Sequence, residues 1–89
     1  MVYVNKAALL AEQITSTLRN RDFLQRASKL SVGMVRQAVE EELTARQVPV
    51  TVIDVDPLPG SVTGSYELVW QPAAGGRFQR QWFSIGKSG

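Results

Sequence analysis

The spacing of apolar residues changes once along this chain, near Pro49, and that change limits the fold more than any single motif does. Before Pro49 apolar residues recur three and four apart, the period of an amphipathic helix. After it they alternate, among β-branched and aromatic residues punctuated by Pro and Gly. This order predicts the α+β class: two or three N-terminal helices packed on one face of a three-stranded antiparallel β-sheet. The 89 residues suit one domain over 1–89, helical over 6–46, sheet-forming over 50–85, with a flexible tail at 86–89.

Cysteine and histidine are both absent. Disulfides, thiol chemistry, His-dependent triads and the usual structural zinc sites are therefore excluded within the chain. The core is held by packing alone or by packing with oligomerisation. No apolar run is long enough to span a bilayer, and residues 1–6 lack the pattern of a secretory signal. The expected setting is the cytoplasm, with no membrane partner.

In the helical half, Asn5 is placed to cap a helix whose inner stripe is Leu10, Ile14 and Leu18. Phe23, Leu24, Ala27 and Leu30 fall well round the cylinder from that stripe. A break near Asn20–Asp22 and a second short helix over 21–29 follow. One long helix buried on two sides, in an intertwined dimer, is the alternative. Ser31 is placed to cap a third helix over 32–46, with Val35, Ala38, Val39 and Leu43 inward. Glu40, Glu41 and Glu42 crowd this helix, with Arg36 and Arg46 one turn away as partners.

In the second half, residues 50–55 form a strand apolar on both faces, which hints that another chain extends or covers the sheet. Asp56 to Gly60 make a stiff turn that displays Leu58 between two prolines. Strands over 64–71 and 77–85 flank a loop at 72–76 and form a hairpin. Pairing Gln71 with Arg77 sets Trp70 opposite Phe78, Leu68 opposite Arg80 and Tyr66 opposite Trp82. Trp70 and Trp82 then join the core, with Arg80 a charged misfit beside them. Glu67, Val69, Gln71, Arg77, Gln79 and Gln81 face solvent, with Phe83 and Ile85 apolar intruders on that side.

Chemistry is sparse. Asp54 and Asp56 are two apart on a strand, a weak pattern for a hard cation; the plainer reading is a strand end. No phosphate-binding loop is present, and no Ser–Lys pair faces itself on one helix. The chain is not expected to be an enzyme or to carry a cofactor.

The expected function is that of a small non-enzymatic protein-interaction module, an adaptor, inhibitor or assembly factor, acting as a homodimer in one form. Its partner is another protein or a second copy of itself. The candidate contact residues are Leu58, Val69, Gln79, Gln81 and Arg80. The alternative is a winged-helix-like nucleic-acid binder using Arg19, Arg21, Arg26, Lys29, Arg36 and Gln37, a basic stretch that reads as helix-turn-helix. Leu30 to Val39 resembles the recognition-helix stretch of small bacterial winged-helix repressors. Three glutamates on the same helix and a net charge of only +2 oppose that alternative.

Overall fold

The structure, a computed structural model, describes residues 5–60 and 64–86. The elements run α1 (Lys6–Leu18), α2 (Arg21–Ala27), α3 (Val32–Ala45), β1 (Val50–Pro57), β2 (Ser65–Pro72) and β3 (Gln79–Ser84). The chain is an α+β domain: three helices packed on a three-stranded antiparallel sheet of order β1-β2-β3. The tail expected over 86–89 lies outside the described residues beyond Gly86, as does the stretch before Asn5.

The helix boundaries follow local chemistry. The Asn5 side chain accepts the Ala8 N–H at 3.2 Å. The Asn20 side chain accepts those of Asp22 and Phe23, so α1 and α2 are separate helices. Ser31 occupies the N-cap of α3 but makes no capping bond with its side chain. Helix α3 ends at Ala45, three residues short of Pro49, by a Schellman closure. Val48 N–H donates to Leu43 C=O and Gln47 N–H to Thr44 C=O, both at 3.0 Å. This turn forces Gln47 into the left-handed region, at φ 57°.

Strand β1 carries a β-bulge that the sequence reading lacks. Val52 pairs with Trp70 and Asp54 with Val69, leaving Ile53 without a partner of its own. Alternation restarts after the extra residue. Val50, Val52 and Val55 therefore all pack against the core, whereas strict alternation puts Val55 on the opposite face from Val52. The three valines of the strand that read as apolar on both faces thus share the inner face, and Ile53, at the bulge, is the apolar residue of β1 left off the core.

The second correction concerns β3. Trp70 pairs with Gln79, Leu68 with Gln81, Glu67 with Trp82 and Tyr66 with Phe83. The register is one residue away from the expected pairing, and a one-residue slip exchanges the two faces of a strand. Gln79, Gln81 and Phe83 point toward the helices; Arg80 and Trp82 point away. Trp82 is 71% exposed, not part of the core, whereas Trp70 is 1% exposed. Phe78 and Arg77 belong to the connection, not to the strand. Gly75 and Gly76 supply its positive φ angles, and Gln71 Nε2 donates to Gly76 C=O at 2.8 Å.

The observed register removes both anomalies of the expected one. It brings Phe83 inward, where its ring stacks on Tyr66 at 5.5 Å, and buries Ile85. It also releases Arg80, whose burial without a partner would cost several kcal/mol, on the order of 3–5. The core is Ile14, Leu18, Phe23, Ala27, Val35, Val39, Leu43, Val48, Tyr66, Leu68, Trp70 and Ile85. Helix α3 lies along β1 and α1 along β3, so all three helices sit on the inner face.

Candidate interaction surface

The outer face of the sheet is left open by this arrangement. Cross-strand pairing sets Asp54, Val69 and Arg80 in one row and Asp56, Glu67 and Trp82 in the next. Trp82 stands at the β3 side with Phe78 just before the strand; Phe78 is 62% exposed. Arg80 reaches only to 4.0 Å from Glu67, so its guanidinium is weakly held. The β1 side is acidic. The Asp56 carboxyl is raised above its ordinary value, first by a hydrogen bond shared with Asp54 and then by burial. The negative charges of Asp54 and Glu67 add to this, and Arg36 opposes it.

The face is thus polarised, with carboxylates on β1 and aromatic rings plus a cation on β3. Tryptophan and arginine are the residues that most often anchor protein interfaces, because each combines apolar area with a polar handle. Val69 lies half-buried at the centre of the face, as the sequence predicts. Arg80 joins it here from the face to which the sequence reading had assigned it wrongly.

Gln79 and Gln81, expected outward, are on the inner face. Gln81 is occupied there: its Oε1 accepts the Trp70 indole N–H at 3.0 Å, and its Nε2 donates to Thr15 Oγ1 at 3.2 Å. Leu58 is half-buried rather than displayed. Its N–H donates to Ser65 C=O at 2.9 Å, which prolongs the β1–β2 pairing past Pro57. Its side chain lines a cleft of about 520 Å³ with Leu18, Arg19, Gln81 and Phe83.

The basic stretch is dispersed. Arg26 donates to Glu42 at 2.9 Å and lies over the Phe23 ring at 5.9 Å. Arg46 also donates to Glu42, at 3.2 Å. The Glu42 carboxyl, nearly buried, is held below its ordinary range, first by the Arg26 hydrogen bond. Arg26 therefore ties α2 to α3. Arg36 is paired with Glu40 at 2.9 Å, and Gln37 donates to Glu41 at 3.1 Å. Arg19, Arg21 and Lys29 remain exposed, with no ion pair among the described residues. Arg19 and Arg21 share a shallow depression with Leu24, Gln25 and Ser28.

Sequence reasoning missed Trp82 and Phe78 as surface residues because it assigned them to the core. The signal that could have found them was the pair of misfits, Arg80 inside and Phe83 with Ile85 outside, which a single slip resolves. Among the described residues no helix is long and apolar enough to cross a membrane, and no group of three or more acidic side chains is placed to hold a metal ion. Comparison with protein-family models, curated proteins and solved structures finds no match.

Proposed function

We propose that this chain is a small non-enzymatic protein-interaction module that engages its partner through the open face of the sheet. Trp82 is the anchor; Phe78, Arg80 and Val69 surround it. The observation that carries this reading is the exposure of Trp82 on the one sheet face no helix covers, with Phe78 exposed just before the same strand. Leaving two large aromatic side chains in water forgoes roughly 1.5–3 kcal/mol each of burial energy. A surface that keeps them exposed is suited to burying them against something else. The carboxylates of Asp54, Asp56 and Glu67 on the same face disfavour a phosphate backbone there, although exposed aromatics can stack on bases.

Nucleic-acid binding through Arg19, Arg21 and Lys29 is the second reading, supported by the absence of carboxylate partners for these three side chains among the described residues. Arg26, Arg36 and Gln37 contribute less, since each is already bound to a glutamate. A photo-reactive phenylalanine analogue at position 82 or at position 21, activated in cells, separates the two. The expected result is a nuclease-resistant protein adduct from position 82. Nuclease-sensitive adducts from position 21 alone would overturn the assignment in favour of the second reading.

A further inference from the structure

We infer that the partner is a second copy of this chain, joined by antiparallel pairing of the two β3 edges into one continuous sheet. The inference rests on the reading of the Trp82 side as a protein-binding surface and names what binds there.

The two edges of the sheet differ. Strand β1 is bulged at Ile53, ends in Pro57 and follows Pro49, features that blunt an edge against pairing. Strand β3, Gln79–Ser84, has neither bulge nor proline. Its free hydrogen-bonding groups can be assigned. Ile85 N–H donates to Gly64 C=O on the β2 side. By alternation, Gln79, Gln81 and Phe83 also direct their backbone groups to β2, and Arg80 and Trp82 direct theirs off the edge. No other described residue bonds those groups. The residues whose backbone is unpaired are therefore the ones whose side chains lie on the open face.

Two copies related by a two-fold axis normal to the sheet keep inner faces with inner faces. That restricts the register to one in which some residue meets its own copy. Centring on Arg80 brings two guanidiniums together. Centring on Gln81 instead sets Arg80 of one copy across from the partner's Trp82, and the reverse. Backbone groups of Arg80 and Trp82 then bond each other, and each guanidinium meets an indole face on the open side. Chain and surface chemistry agree on this register, and it is self-complementary as an isologous interface requires.

The test is molar mass by light scattering from micromolar to millimolar concentration, with residue-resolved amide exchange on the same samples. The expected result is a shift from the 9.8 kDa chain toward twice that mass, with the Arg80 and Trp82 amides becoming protected as it occurs. Arg80→Gln, which leaves the strand backbone intact, should raise the dimer dissociation constant about tenfold. A monomer throughout overturns the inference, as does a dimer in which these two amides exchange freely, or a dimer indifferent to Arg80→Gln. A monomer that still yields protein adducts from position 82 sinks this inference alone. A β3-paired dimer whose position-21 probe captures nucleic acid while position 82 captures nothing beyond its own copy removes only the wider partner-binding role.

Discussion

The Trp70 indole N–H donates to Gln81 Oε1 at 3.0 Å across the β2–β3 pair, and the same amide donates to Thr15 Oγ1 on α1 at 3.2 Å. One glutamine thus satisfies the polar atom of the largest buried side chain and joins the hairpin to the first helix. It exists only because β3 sits one residue away from the pairing that alternation alone favours. Gln81→Ala is expected to destabilise the domain by about 1–3 kcal/mol, because it strands a buried donor. Thr15→Ala, which leaves the indole bond intact, should cost about 0.5–1.5 kcal/mol. Urea unfolding checks both; equal losses would mean that the indole bond does not matter.

The two tryptophans separate the observed register from its alternative. Trp70→Ala should cost about 3–5 kcal/mol, and Trp82→Ala within about 0.5 kcal/mol at concentrations where the chain is monomeric. Acrylamide should quench the emission of Trp82 strongly and that of Trp70 hardly at all. A comparable loss of stability in both variants would place Trp82 in the core.

Glu42 links stability to pH. Its carboxyl is held below the ordinary value of 4.5 by Arg26 and Arg46, so the unfolded chain binds the proton more readily than the folded one. The stabilisation is complete above pH 4.5 and is lost as pH falls through the lower folded value. Glu42→Gln should reduce the unfolding free energy by about 1–2 kcal/mol at pH 7, with the difference closing in acid. Denaturant titrations from pH 7 to pH 3 measure this; a constant gap would exclude the carboxylate as its source.

Gln47 closes α3 in a conformation that suits glycine. Gln47→Gly is expected to stabilise the domain by about 0.5–1 kcal/mol, since it relieves the left-handed strain without touching the two closing hydrogen bonds. Gln47→Ala should bring no gain. Thermal unfolding of the pair decides it.

Much of the architecture was legible in the sequence for local reasons. The cap at Asn5, the break between α1 and α2, the inner stripe Val35, Val39 and Leu43, and the order of a simple meander all depend on residues within a turn or two of each other; the Asn20 cap that makes the break came only with the structure. The candidate surface was legible only in part. Val69 was correctly placed outward, but Arg80, Trp82, Gln79 and Gln81 were each assigned to the wrong side.

What the sequence by itself determined is the helical half, the strand-forming half and the antiparallel meander, because period and capping are encoded in neighbouring residues. What only the tertiary structure decided is which face of β1 and β3 meets the helices. A bulge at Ile53 reverses the parity of the rest of β1, one more residue in the Ala73–Phe78 connection reverses that of β3, and neither carries a local signal. The choice is made by the whole core: Gln81 finds Trp70 and Thr15, Phe83 finds Tyr66, and the Arg80 charge stays in water.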